Sequence, residues 1–186
     1  MNAEVDSKHA ALYRTLLAVA MIVLAAILRI APHPWNFTPI GAMALFSGAV
    51  LKDRRLAFVF PLAALFAGDV FSGFYKITMM LVVYGSFLVS VAIGLWLRDR
   101  RTIGRISVAM LLGALQFFVI VDLGVWALLG TYAHNFQGLI ACYVAAIPFL
   151  WNTLAGDAVY CALLFGGYAL AERFLPAIKQ PSFERL

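Results

Sequence analysis

Charged residues are scarce in this chain of 186 residues: they make up 12% of it, against 64% for apolar residues. Soluble domains are about half apolar and about a quarter charged, so this composition excludes an ordinary soluble domain. No hydrophilic segment is long enough to form a second, soluble domain. We therefore expect a single integral membrane domain over residues 1–186, with room for roughly six spans of about 20 residues each.

Cysteines and catalytic motifs are also lacking. Cys142 and Cys161 are too few for a disulfide framework, and their separation matches no zinc site. The sequence has no Gly-x-Ser-x-Gly elbow, no HExxH pair and no glycine-rich phosphate loop. Its serines lie mainly away from the histidines of the outer loops, so a serine nucleophile has no base nearby. We predict no catalytic residues and no cofactor, and the sequence leaves metal binding undecided.

Long apolar runs predict an all-α protein with six transmembrane helices, at residues 12–30, 40–51, 56–74, 79–97, 106–129 and 153–174. The second span is short, so it must be tilted or begin inside a protein-lined cavity. Residues 138–151 are also apolar, but this stretch is short and contains Pro148. We predict that it forms a short re-entrant or interfacial segment before the last helix.

The positive charges predict the orientation of the bundle. Twelve Lys and Arg residues fall on one set of ends and loops, and only Arg29 and Lys76 fall on the other. This positive-inside bias requires an even number of spans and places both termini in the cytoplasm. The N-terminal apolar run resembles a signal peptide but lacks small residues at a cleavage site, so we expect it to be retained. The net charge of +5 is explained by topology, and no nucleic-acid partner is expected.

Ionisable residues inside the spans are the main functional clue, because they are costly in a membrane. At a rise of about 1.5 Å per residue, four ionisable residues from four different helices fall in the outer third of the membrane: Arg29, Asp69, Asp122 and Asp157. The inner halves of the helices contain few polar residues, so we predict an outward-facing pocket over a dry helix bundle. Together with polar residues of the outer loops, the candidate substrate-binding residues are Arg29, His33, Trp35, Asn36, Asp69, Tyr84, Asp122, His134, Tyr143, Asn152 and Asp157.

These residues also have structural interpretations. Asp69 and Asp157 each follow a glycine and could pair with Arg29 or bind loop amides, and His33 and His134 could be solvated. The tryptophans fit an ordinary interfacial aromatic belt. Small residues at four-residue spacing, as in the second and fourth spans, predict close packing within the bundle, with a partner membrane protein as the alternative.

Four blocks of the sequence resemble a family of small bacterial membrane proteins, over roughly residues 29–166: PHPWNFTPIGAMALFSGA, RRLAFVFPLAALFAGDVFSGF, VYGSF and GLIACYVAAIPFLWNTLAGD. That family is similar to the S components of energy-coupling-factor (ECF) vitamin transporters, with the cobalamin-specific solitary S components as the nearest characterised kin. The resemblance implies an S-component-like bundle in the bacterial inner membrane. It would capture a vitamin-like small molecule, a corrinoid being one example, for uptake. The implied partners are the lipid bilayer, this ligand, and either an ATP-driven energising module or none.

Two departures from the S components bear on these implications. The first helix lacks the Ala-x-x-x-Ala pattern that S components with a shared module often carry, which leaves solitary action open. The cobalamin-specific relatives use a cysteine after the third-span aspartate to ligate cobalt. Between Asp69 and Tyr84 this chain has methionines but no cysteine, and a thioether is a poorer ligand. His33 or His134 would have to replace it, or the ligand is not a corrinoid.

The leading hypothesis is therefore a substrate-capturing transport protein and not an enzyme. The first alternative is an intramembrane enzyme or accessory protein that acts on a lipid-soluble or periplasmic substrate, with the same carboxylates and histidines as acid–base groups. The second is an assembly factor whose polar layer only joins the outer helix ends.

Overall fold

The structure, a computed structural model, describes residues 2–29 and 34–175. Throughout these residues the regular structure is helical. A π-helical turn, Ala162–Gly166, joins the last two helices. The helices are α1 (Asn2–Leu28), α2 (Ile40–Val50), α3 (Arg54–Ser72), α4 (Ile77–Trp96), α5 (Ile103–Leu128), α6 (Phe136–Cys161) and α7 (Gly167–Phe174).

Five helical stretches are long and apolar enough to cross a membrane, in α1, α3, α4, α5 and the continuous run from α6 to α7. The outer faces of these helices expose large apolar side chains, among them Leu81, Val119 and Leu170. In water so much exposed apolar surface would drive aggregation, whereas in a membrane the apolar lipid tails solvate it. The chain is a multi-pass membrane protein, which confirms the predicted all-α membrane class.

Helix α2 lies at the centre of the bundle. Its 11 residues rise only about 16 Å, less than the thickness of the hydrocarbon layer. Nine of them are buried, because α2 packs against α1, α3, α4, α5 and α6. A helix that is apolar on every side needs such surroundings. The expectation of a short second helix is confirmed. Of the six predicted transmembrane helices, however, only five lie in described helices that are long and apolar enough to cross a membrane by themselves, and α2 is the exception.

Helices α2 and α4 pack backbone against backbone. A Cβ atom at Gly48 would collide with the carbonyl oxygen of Val91, and one at Gly94 with the carbonyl group of Leu45. Ser90 lies one turn before Gly94 and is also buried. At this contact the small residues at four-residue spacing therefore pack within the bundle.

Both ends of α2 receive an ionisable side chain from another part of the bundle, the loop after α4 at one end and α6 at the other. At the C-terminal end, Arg98 donates from Nε to the Gly48 carbonyl at 2.8 Å and from Nη2 to the Leu51 carbonyl at 2.6 Å. At the N-terminal end, the Asp157 carboxylate of α6 accepts a hydrogen bond from the backbone N–H of Ala42. An anion at the N-terminus and a cation at the C-terminus each stabilise the helix dipole, and they satisfy groups that a buried helix end would otherwise leave unpaired.

The predicted bounds of three spans agree with α3, α4 and α5 to within three residues. Two of these helices begin at a residue whose side chain caps the first turn. The Asp53 carboxylate accepts from the Arg55 N–H at 2.7 Å, and the Thr102 hydroxyl accepts from the Arg105 N–H at 3.4 Å. Helix α1 begins at Asn2, well before the predicted start at Leu12, because the helix continues through the polar N-terminal residues.

The last helix differs from the prediction. Residues 138–151 are not a separate segment, and the last helix does not start at Thr153. The chain is helical without a break from Phe136 to Phe174, 39 residues in all. Pro148 lies inside α6 and removes one backbone hydrogen bond, which membrane helices tolerate where neighbouring groups compensate. A straight run of this length would measure about 58 Å, so the helix extends beyond the hydrocarbon layer or is strongly inclined.

The contact between α2 and α4 predicts different effects for two glycines of the same helix. We expect Gly94→Ala to lower the free energy of unfolding by about 1–3 kcal/mol, because the new methyl group meets backbone atoms that cannot move aside. Gly85→Ala is the matched control, since a Cβ there meets nothing within 4 Å. Denaturant unfolding of the purified protein, followed by circular dichroism, measures both. Equal stability of the two variants would contradict this packing.

The C-terminal cap of α2 gives a second prediction. Arg98→Met should lower the free energy of unfolding by about 1.5–3 kcal/mol, since two buried carbonyl groups lose a charged donor. Arg100→Met removes an exposed arginine from the same loop and should leave stability nearly unchanged. Thermal and denaturant unfolding of the pair are the measurement. A similar loss of stability in both variants would show that the removal of a positive charge from this loop, rather than the loss of the cap, is responsible.

Candidate functional site

A cavity of about 500 Å³ lies at the N-terminal end of α2, and we call it the main cavity. It extends from the largely exposed Trp35 to Ser90 and Gly113, near the middle of α4 and α5. Every helix from α1 to α6, or the loop beside it, contributes to its wall. The complete lining is Arg29, Trp35, Asn36, Thr38, Gly41, Leu65, Asp69, Ser72, Gly73, Tyr75, Val83, Phe87, Ser90, Gly113, Phe117, Thr153 and Asp157.

One wall of the main cavity holds an ion pair. Arg29, directly after α1, donates from Nη2 to Oδ1 of Asp69 at 3.1 Å, and the Asp69 side chain is only 5% exposed. The hydroxyl group of Tyr84 in α4 donates to the other carboxylate oxygen at 2.8 Å. Gly68 makes room for the guanidinium group, since a Cβ there would collide with Nε of Arg29. The glycine before Asp69 thus permits this close approach of the Arg29 side chain.

Tyr75 adds a neutral hydrogen-bonding group to the same wall. It lies in the loop between α3 and α4, outside the membrane-spanning segments. Burial and the negative charge of Asp69 together raise its pKa to about 12, against the opposing effect of Arg29. The phenol therefore keeps its proton throughout the physiological range and can donate a hydrogen bond into the cavity.

The opposite wall is built by α6 and the N-terminus of α2. The Asp157 side chain is 3% exposed and lies against Gly41, where a Cβ would collide with the carboxylate. Pro39 occupies the N-cap position of α2 and offers no side-chain acceptor, so Asp157 supplies the acceptor from another helix. Asp157 therefore has a structural role at the N-terminus of α2, and it also borders the main cavity.

The loop of residues 34–39 is attached to one face of α6. Asn152 donates from Nδ2 to the Trp35 carbonyl at 2.9 Å. One turn further along, Gly156 allows the backbone of Phe37 to approach closely, and after another turn the ring of Tyr160 lies 6.0 Å from the ring of Phe37. This attachment holds Trp35 at the mouth of the main cavity.

Polar residues near the middle of the bundle form a network beside the deep end of the main cavity. Nε2 of Gln116 in α5 donates to the Ser90 hydroxyl at 2.9 Å and to the Ser86 carbonyl at 3.1 Å. Its Oε1 is buried and has no hydrogen-bond partner among the described residues. The sequence predicts a dry inner half of the bundle and does not identify Ser90 as a lining residue. Ser90 and Gly94 share a buried face with small residues at four-residue spacing, a pattern that indicates helix packing. The pattern alone does not indicate that Ser90 also lines a cavity.

A second cavity of about 300 Å³ lies between α5 and α6, and we call it the side cavity. Asp122 of α5 lines it, together with aromatic side chains of both helices and Tyr132 of the loop between them. Asn36, Phe117 and Thr153 line both cavities, so the two spaces adjoin. Asn36 has a left-handed backbone, with φ of 63°, which asparagine adopts more readily than most residues.

The structure brings together six of the eleven candidate binding residues. Arg29, Trp35, Asn36, Asp69 and Asp157 line the main cavity, and Tyr84 touches its wall through Asp69. Asp122 lies in the side cavity.

The remaining candidates line neither cavity or lie beyond the described residues. Tyr143 donates to the Val119 carbonyl at 2.7 Å, the His134 ring packs 5.6 Å from that of Trp126, and Asn152 binds the loop backbone. His33 lies outside the described residues. Thr38, Ser72, Tyr75 and Thr153 are lining residues that the candidate set did not include.

Metal binding has no geometric support in the part of the chain that the structure describes. There, no group of three or more His, Cys, Asp or Glu side chains is placed to hold a metal ion. Both cysteines are buried and unpaired with each other.

Comparison with known proteins places the chain in one family. A family model with the description "family of unknown function (DUF6580)" matches residues 9–178, which is most of the chain. The chain therefore belongs to this family. No curated protein and no solved structure gives a significant match.

The ion pair in the main cavity predicts non-additive effects on stability. Arg29→Met and Asp69→Asn should each lower the free energy of unfolding by roughly 3 kcal/mol, because each removes one charge of a largely buried ion pair. The double variant should lose clearly less than the sum of the two. Denaturant unfolding of all four proteins measures the coupling. Additive losses would show that the two charges do not stabilise each other.

Proposed function

We propose that this member of the family captures a small organic molecule in its main cavity, as a substrate-binding membrane transport protein similar in role to ECF S components. The main cavity is the observation that carries this proposal. Its size falls within the range of sites for drug-sized ligands, roughly 300–1,000 Å³. Its wall combines apolar and aromatic side chains with a few converging polar groups, as such sites usually do.

The polar groups of the main cavity favour binding over catalysis. Asp69 is held by Arg29 and Tyr84, and Asp157 is held by the N-terminus of α2. Groups fixed in this way are prepared for recognition, whereas a general base must be free to accept a proton from its substrate. An intramembrane enzyme or accessory protein therefore remains the second candidate, without an observation that favours it.

The cellular setting of the proposal rests on the charges. The cavity is bordered by the loops before α2 and before α4, at the end of the bundle where the sequence has few Lys and Arg residues. By the positive-inside rule this end faces outward across a bacterial inner membrane, with both termini in the cytoplasm. Release of the ligand inside would then need an ATP-driven module or solitary action by the bundle.

The cavity volume narrows the class of ligand. A complete corrinoid is considerably bulkier than a drug-sized molecule and does not fit into about 500 Å³ without rearrangement of the bundle. The proposal is therefore directed at smaller vitamin-like molecules or precursors. Phe87 and Phe117 offer a ring or chain an apolar surface, while Tyr75 and Thr153 offer hydrogen bonds.

Two phenylalanine substitutions on α4 test the proposal. Val83 lines the main cavity, so Val83→Phe should fill part of it and abolish or reduce ligand binding at least tenfold. Leu88→Phe is the control, because Leu88 is exposed on the outer surface of the same helix. Mass spectrometry of co-purifying small molecules, followed by thermal-shift titration with the molecule found, is the measurement.

Two results would contradict the proposal. One is the absence of any co-purifying small molecule, combined with no thermal shift from a panel of vitamins and their precursors. The other is equal ligand retention by Val83→Phe and Leu88→Phe.

A further inference from the structure

The three carboxylates around the two cavities differ in how their charges are balanced. Asp69 pairs with the Arg29 guanidinium, and Asp157 lies at the positive end of α2. Asp122 has neither kind of partner. Among the described residues no cationic side chain lies within ion-pair distance of its carboxylate, and no donor binds it.

Asp122 is half-buried in α5 and faces the side cavity. Cys142 and Tyr143 of α6 lie near it, but each directs its hydrogen bond to a backbone carbonyl, of Asp122 itself and of Val119. The Asp122 carboxylate therefore accepts no hydrogen bond from these two neighbours and stays available to a ligand. An unbalanced ionisable group at membrane depth is costly and is typically retained for function.

The rest of the side cavity suits a cation. Its aromatic residues, Phe118, Phe149 and Tyr132, can present ring faces that attract positive charge. Its residues Asn36, Phe117 and Thr153 are shared with the main cavity, so one molecule can reach both spaces. Among the residues that the structure describes, no arginine, lysine or histidine lines the side cavity to compete with a cationic ligand.

We propose that the side cavity is a subsite for a positively charged nitrogen of the ligand, with Asp122 as its counter-ion. This inference rests on the proposed function, since it extends the same ligand from the main cavity. It assigns the ligand to a chemical class: a compact organic cation, such as an amine or a charged nitrogen heterocycle, whose uncharged part occupies the main cavity.

Two isosteric probes test this assignment on the purified full-length protein in lipid nanodiscs. 2-Phenylethylamine is a cation at neutral pH, and 2-phenylethanol has the same ring and chain without the charge. We expect the amine to bind at least about tenfold more tightly than the alcohol, measured by calorimetric or thermal-shift titration. Asp122→Asn should remove this preference, because a lost charge partner typically reduces affinity by this factor or more. No preference for the amine in the unmodified protein, including no binding of either probe, overturns the inference.

Two further variants control for folding and for general charge. Asp122→Glu keeps the carboxylate and should retain the preference for the amine, which separates loss of charge from loss of fold. Asp99→Asn removes an exposed carboxylate of the loop between α4 and α5 and should behave as the unmodified protein does. An unchanged preference in Asp122→Asn, or an equal loss in Asp99→Asn, overturns the inference.

Identification of the co-purifying molecule separates this inference from the proposed function. A molecule with a charged nitrogen that Asp122→Asn fails to retain supports both. A neutral or anionic molecule that is lost in Val83→Phe but kept in Asp122→Asn supports capture in the main cavity and overturns the cationic subsite.

Discussion

The structure depends on how a helix of 11 residues is stabilised in the middle of a membrane bundle. Helix α2 ends inside the protein on both sides, and side chains from other parts of the bundle satisfy groups at its two ends. Asp157 supplies an acceptor at one end and Arg98 supplies donors at the other. Each charge is opposite in sign to the end of the helix dipole that it meets, so one arrangement balances two ions and two helix ends.

The short length of α2 also explains where the main cavity lies. Helix α6 begins at Phe136 and meets the N-terminal turn of α2 at Asp157, so it continues well past that end of α2. The main cavity lies at this end, where a longer second helix would have continued. The loop of residues 34–39 enters this space and becomes part of the cavity wall. Asp157 is thus shared between the cap of α2 and the cavity, which ties the stability of the central helix to the lining of the site.

Sequence patterns predicted much of this architecture because membrane helices follow simple rules. Apolar run length located α3, α4 and α5 closely, and depth along the helices identified Arg29, Asp69 and Asp157 as candidates. The continuous helix through Pro148 was not predictable from the sequence. Whether a helix tolerates a proline depends on the groups that surround the proline in space. The roles of Ser90 and Thr153 also required the structure, since only the neighbouring helices show which face of α4 or α6 borders a cavity. The predicted binding role of these residues, the orientation and the ligand stay predictions.

The attachment of the loop to α6 has a mechanical consequence. Asn152, Gly156 and Tyr160 fasten the loop to one face of a helix that runs without interruption to Phe174. Near its far end, Glu172 pairs with Arg101 at 3.8 Å, next to the start of α5. The mouth of the cavity and the opposite end of the bundle are thus connected by one continuous helix. A displacement of the Trp35 backbone must therefore either break its hydrogen bond to Asn152 or tilt the whole helix.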